Sequence, residues 1–179
     1  FLSLYLFLRK SVLIETKRIT LTELSERDTA FILRLVNEPS FLENIGDKGV
    51  RNEDDALKYL EDGPFASYAE HGFGLWRVGL KSSDVAIGIS GLIKRDTLDH
   101  VDIGFAFLPE YWRQGFASEA GAAVLDAGRQ QFGLATVVAI THPKNNGSIA
   151  VLERLGLTYQ GLIHLGEGAN TTKLFRVDF

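Results

Sequence analysis

Two short stretches hold residue types that can do chemistry. The first is Trp112-Arg113-Gln114-Gly115-Phe116-Ala117, which joins a strand-like run over 101–108 to a helix-like run opening near Ala117. A glycine-bearing turn at the mouth of a helix leaves backbone N–H groups unpaired, and the helix adds partial positive charge at the same end. Such a corner binds anions, phosphate foremost. Gly115 lets the backbone approach an anion closely, while Arg113 either adds charge or lies solvated. Rival phosphate loops are missing: the chain has no Gly-Lys-Ser/Thr and no Gly-x-Gly-x-x-Gly. The second stretch is the strand itself. Val101, Ile103, Phe105 and Phe107 share one face and can fill a core. Asp102, Gly104, Ala106 and Leu108 share the other, where small residues leave room for a ligand and the lone carboxylate either accepts a proton or is simply solvated.

The elements that must position these stretches follow from periodicity. Residues 18–24 alternate as a half-buried strand does. Asp28 is a candidate N-cap for a helix running to Asn37, with Phe31, Ile32, Leu35 and Val36 on one face. Residues 38–51 read as a loop or broken helix. Asn52 can cap a further helix whose early acids Glu53, Asp54 and Asp55 suit its positive end, and Gly63-Pro64 is expected to stop it. Strands follow at 73–80, 85–93 and 101–108, joined by connections short enough for antiparallel hairpins. After the helix at 117–132 come a strand at 136–141, a short helix at 147–155 and closing strands near 158–165 and 172–177. The order is mixed α/β, with one central sheet and helices on its faces.

Composition excludes several classes. The 179 residues suit one domain with a full core, and 45% apolar content marks a globular chain. Net charge is −4 and no Lys/Arg run exceeds two, which argues against nucleic acid as a partner. Cysteine is absent, so there is no disulfide, thiolate metal site or cysteine nucleophile; this fits a reducing, cytoplasmic setting. His71, His100, His142 and His164 show no metal-ligand spacing, so no metal is expected. Residues 1–8 are apolar apart from Ser3 and precede Arg9-Lys10. The stretch is too short for a membrane span and its charges follow the apolar run, unlike a signal peptide. We read 1–15 as an N-terminal hydrophobic extension that packs on the domain or on a second copy, with a membrane-surface anchor as the rival reading.

With these residues in view, the chain resembles the GNAT acyl-CoA N-acyltransferases, within them the ribosomal-protein (RimJ/RimL-like) branch. The similarity rests on Asp102-Ile103-Gly104-Phe105, Pro109-Glu110-Tyr111-Trp112, Gly115-Phe116-Ala117, Pro143-Lys144-Asn145-Asn146-Gly147-Ser148 and Leu155-Gly156-Leu157, in that order. Thr16-Lys17-Arg18-Ile19-Thr20-Leu21 is similar to the family's opening strand. Each motif alone is weak; their order and spacing are specific, and the resemblance covers 16–179. It implies a GNAT domain over those residues, built on a twisted, mostly antiparallel sheet with a splayed pair of strands.

The resemblance also implies acetyl-CoA as co-substrate. Its diphosphate would lie on the backbone of Arg113, Gln114, Gly115, Phe116, Ala117 and Ser118. The pantetheine arm would pair with the backbone of Phe105, Ala106, Phe107 and Leu108, one amide polarising the thioester carbonyl, and Asn145 would contact the arm. Asp102 holds the family's acidic strand position and is the candidate base, its shortness favouring a water relay. Ser148 is the candidate proton donor to sulfur, because Leu152 stands where many GNAT enzymes carry tyrosine. A thiolate also leaves tolerably without an acid. The acceptor is a primary amine, either a protein N-terminal α-amine or a small amine or amino-acid derivative, with a non-catalytic CoA-binding module as the alternative. Specificity would lie in 37–65, where Asp54 and Asp55 could make an acidic cleft for a cation or simply start a helix. No nucleic acid or membrane is expected as partner, and a homodimer is left open.

Overall fold

The computed structural model describes residues 12–179; the stretch 1–11 lies outside them, and with it most of the segment read above as an extension. Eight strands form one sheet in the order β1-β2-β3-β4-β5-β6-β8-β7. They are β1 (Val12–Glu15), β2 (Ile19–Glu23), β3 (Leu75–Leu80), β4 (Ala86–Ile93), β5 (Asp102–Phe107), β6 (Thr136–Thr141), β7 (Thr158–His164) and β8 (Thr171–Asp178). Every neighbouring pair is antiparallel except β5 and β6, whose crossover runs through a helix. Residues 12–15, assigned from sequence to the extension, thus form an edge strand against β2.

Six helices cover the sheet: α1 (Thr29–Val36), α2 (Pro39–Asn44), α3 (Glu53–Leu60), α4 (Ala66–His71), α5 (Phe116–Gln130) and α6 (Asn146–Arg154). Each face has its own core. Ala120 and Val124 of α5 and Leu152 of α6 pack with Ile103, Phe107, Val78 and Trp76 on one side. Ile32 and Leu35 of α1, Phe41 of α2 and Ala56 and Leu60 of α3 pack with Ile89 and Leu108 on the other. The alternation of β5 therefore divides as its sequence implies.

Two helix boundaries differ from expectation. Asp28 is the residue before α1, but its side chain makes no cap bond. It instead closes a capping box with Ser25 and pairs with the buried Arg77, its Oδ1 3.1 Å from Nε. A buried guanidinium demands a carboxylate more strongly than a helix end does. Gly63-Pro64 does not stop α3, because the chain widens into a π-helical turn, Glu61–Phe65, and continues as α4. The wide turn accommodates a proline that lacks an N–H. The stop comes at Gly72, in the left-handed conformation (φ 77°).

Candidate active site

β5 is fully paired with β4 but meets β6 at one position, Asp102 opposite Val138, where the Val138 N–H donates to Val101 O at 3.0 Å. Beyond it the two parallel strands part. Ladder alternation decides which peptide groups face the gap. Leu108 N–H donates to Ile87 O at 2.9 Å, so 102, 104, 106 and 108 bond β4, while the peptide groups of Ile103, Phe105 and Phe107 point toward β6. The Phe107 carbonyl is capped by the indole N–H of Trp112 at 2.8 Å. Of the four residues expected to offer backbone to a ligand arm, Phe105 and Phe107 face the gap and Ala106 and Leu108 face β4; the expectation overlooked the period of two.

The gap opens onto the anion turn. Arg113 and Gly115 both adopt left-handed backbone, φ 57° and 83°, and α5 begins at Phe116 with no side-chain cap. The first helical bond runs from Glu119 N–H to Gly115 O at 3.0 Å. Among the described residues, the N–H groups of 113–118 have no protein acceptor. The phenyl ring of Phe116 is buried, so this residue offers only backbone, whereas Arg113 and Gln114 are exposed. Arg18, from the start of β2, holds the turn from behind. Its Nη1 donates to Gln114 O at 2.8 Å, its Nε to Glu119 Oε1 at 2.8 Å, and its guanidinium lies 4.3 Å from the Phe116 ring centroid. Glu119 Oε2 also accepts from Thr16 Oγ1 at 2.6 Å and from the Arg18 N–H at 3.1 Å. Partial burial pushes the Glu119 carboxyl up, but the bonds from Thr16 and Arg18 prevail and hold it below its usual range.

Two parallel strands thus part toward a helix mouth with free amides, and the family model for the acetyltransferase (GNAT) domain matches residues 18–158. The chain belongs to the GNAT acetyltransferases. It is 28% identical over 148 residues to the uncharacterized N-acetyltransferase YnaD of Bacillus subtilis, covering 83% of this chain and 84% of that one. Its fold is similar to that of RimL, a ribosomal L7/L12 α-N-protein acetyltransferase solved with coenzyme A: TM-score 0.81, 14% identity, 94% of this chain and 98% of that one. It is also similar to the microcin C7 self-immunity acetyltransferase MccE solved with acetyl-CoA and AMP: TM-score 0.76, 16% identity, 92% of this chain and 94% of that one.

In this GNAT acetyltransferase Asp102 stands where β5 and β6 separate, on the sheet face covered by α1 and α3. It is only 1% exposed. Arg95, on the β4–β5 connection, places Nε 3.1 Å from Oδ1 and 3.3 Å from Oδ2. Burial raises the carboxyl to about 6, and Arg95 opposes that rise only in part. The group is therefore ionised at neutral pH yet close enough to neutrality to take a proton. Sequence reading missed Arg95; the Ile93–Asp102 hairpin register, which carries the connection back over its own strand, was the available signal.

The remaining site residues gather on α5 and α6, whose N-termini both follow strands flanking the gap. Asn145 caps α6, its Oδ1 accepting from Ser148 N–H at 3.1 Å, and its amide nitrogen has no protein partner among the described residues. The Ser148 hydroxyl is half-buried and makes no protein hydrogen bond there. Ser118 Oγ accepts from Arg154 at 3.2 Å, which joins α5 to α6. Leu152 is 1% exposed in the core. Asp54 and Asp55 do not form an acidic cleft. Asp54 is exposed, and Asp55 receives the Arg51 N–H at 2.9 Å at the start of α3. Among the described residues no three His, Asp or Glu side chains converge as metal ligands, and no helix is long and apolar enough to cross a membrane.

Proposed function

We propose that this enzyme transfers the acetyl group of acetyl-CoA to a primary amine, with direct attack of the amine on the thioester. The parting of β5 and β6 at Asp102 carries the reading, because unpaired strand backbone, a run of free amides and a proton acceptor then follow one another along β5 and the turn into α5. The residues fit the co-substrate. Alternate peptide groups at Phe105 and Phe107 suit an extended amide-bearing arm, and six consecutive amides over 113–118 suit a diphosphate. The free amide nitrogen of Asn145 can donate to the arm. Bound there, acetyl-CoA supplies an activated acyl carbon: a C–N bond forms, the C–S bond breaks, the amine loses a proton and the sulfur gains one.

The rest belongs to the protein. Asp102 takes the amine proton, through a water given its short side chain and burial. An α-amine, with pKa about 7.7–8.0, needs little help from such a base, whereas a lysine amine at about 10.4 needs far more. The acceptor class is therefore an α-amine, on a small amino-acid derivative or at a protein N-terminus as RimL's description has it. The unbonded Ser148 hydroxyl can return a proton to sulfur, and buried Leu152 leaves no other donor at the family's tyrosine position. Assay of the purified chain with acetyl-CoA across an amine panel, reading free thiol and acetylated product by mass, tests the proposal. Turnover with α-amines is expected. Tight CoA binding with no thiol release on any amine would instead identify a binding module.

A further inference from the structure

We infer that the amine accepted by this enzyme carries an acidic group, a carboxylate by preference, within a few bonds of the nitrogen. This rests on the transferase reading above and deepens it. Arg95 engages Asp102 through Nε alone, at 3.1 and 3.3 Å. Its two terminal nitrogens, the fork that matches a carboxylate, have no protein acceptor among the described residues, and its side chain is 38% exposed. The guanidinium is rigid and planar, so that fork lies within one group's width of the proposed base. Lys48, on the loop between α2 and α3, comes close enough to feel the same guanidinium. Although Lys48 reaches solvent, crowding by protein atoms and then the Arg95 charge hold its ammonium below the usual lysine range. It has no carboxylate partner among the described residues. Tyr59 of α3 also senses the Arg95 charge; burial raises its hydroxyl against the pull of that cation, so it stays protonated and can donate.

Around Asp102, then, Arg95 is a direct contact, and Lys48 is a second cation near enough to sense the Arg95 charge. Asp102 balances one cation, and the other has no anion. Four acids of the same region are engaged elsewhere: Asp47 pairs with Arg51, Asp62 with Lys58, and Glu38 and Glu110 with Arg34. An acceptor whose acid lies on the Arg95 fork and Lys48 would present its amine beside Asp102. Free amino acids and peptides with an acidic first residue share that chemistry.

Matched amine pairs decide it, with kcat/KM referred to the neutral amine because a neighbouring carboxylate raises the amine pKa: an α-amino acid against its amide, and a peptide beginning with aspartate against one beginning with asparagine. The acidic member is expected to show a kcat/KM roughly 10- to 100-fold higher, the range for one charged hydrogen-bonded contact. Lys48→Gln and Arg95→Gln should each shrink that ratio, a readout that loss of overall activity does not imitate. Which pair shows the larger ratio separates a free amino acid from a peptide terminus. Equal kcat/KM within both pairs, with turnover present, overturns the inference and leaves the transferase reading intact. Binding is read apart from turnover by titrating the wild-type protein with an N-acetylated amino acid and with its amide. A thermal shift from the acid alone, beside a higher kcat/KM for the acidic amine, supports the inference, and equal shifts overturn it.

Discussion

Arg18 Nε lies 2.8 Å from Glu119 Oε1, a contact between residues 101 positions apart that ties the start of β2 to the first turn of α5. The same guanidinium holds the carbonyl of Gln114 and covers the ring of Phe116. It fixes the turn proposed to hold the diphosphate without using the N–H groups of 113–118. The pair is substantially exposed, so its share of folding stability is at most about 1 kcal/mol. Its effect on geometry is larger, since a misplacement of about 1 Å can cost ~100-fold. Arg18→Ala and Glu119→Gln should therefore each raise the KM for acetyl-CoA roughly 10- to 100-fold. Melting temperatures should fall by no more than about 4 °C. The double variant should cost less than the sum, as contacting residues do. Steady-state kinetics with thermal melts checks this, and an unchanged acetyl-CoA KM would remove Arg18 from the site.

The turn contains two left-handed residues that should respond in opposite ways. Gly115, at φ 83°, has Arg18 Nη2 3.3 Å from where a Cβ would stand. Gly115→Ala should therefore cost about 1–2 kcal/mol in backbone strain and displace the guanidinium. Gly115→Glu adds a negative charge at the amides and should abolish CoA binding in a folded protein. Arg113 is already strained at φ 57°, so Arg113→Gly should be neutral or slightly stabilising. Circular-dichroism melts and CoA titration of the three variants test the contrast, and a stabilised Gly115→Ala would contradict the assigned geometry.

Much of this site was legible because it is local. The strand, turn and helix over 101–130 lie together in the sequence, and Asp102, Gly115 and Asn145 could each be found from neighbours a few residues away. Arg18 and Glu119 act through a contact 101 residues apart that spacing does not encode, whereas Arg95 reaches Asp102 across seven residues of one hairpin. The acids of 37–65 were read as an acidic cleft or as the start of a helix, and the structure makes Asp54 and Asp55 the start of α3, while Asp47 and Asp62 pair with cations four residues away. The edge strand β1 was missed because it is four residues long and follows directly from an apolar run, with no turn signal between them.

Leu152 raises the question of whether restoring a tyrosine would supply a better acid. The side chain is 1% exposed and packed with the α5 core, so added volume should cost about 1–3 kcal/mol through overpacking. Leu152→Tyr is expected to melt several degrees lower with no gain in kcat. A rise in kcat would show that protonation of the leaving sulfur limits turnover and that the ring reaches the gap.

Asp102 makes the most specific demand on pH. Burial has lifted its carboxyl to about 6, so the base is ionised only above that value. The acceptor amine must also be neutral, and an α-amine deprotonates at about 7.7–8.0. Log kcat/KM for the wild type should therefore climb with a slope near two below pH 6, near one from there to the amine pKa, and then level. With Asp102→Asn the slope should be near one throughout the acid range, and the rate deficit should grow up to about pH 6 and stay at its full size above it, roughly 100-fold or more for a lost general base. Stability gives a second reading of the same burial. A carboxyl whose folded pKa exceeds its unfolded one favours the fold most below about pH 4, and loses that contribution as pH rises through about 6. Denaturant titrations at pH 4 and pH 7 should show the wild type losing stability relative to Asp102→Asn across that window. Parallel pH–rate profiles for the two proteins would remove Asp102 as the base, whatever the stability data show.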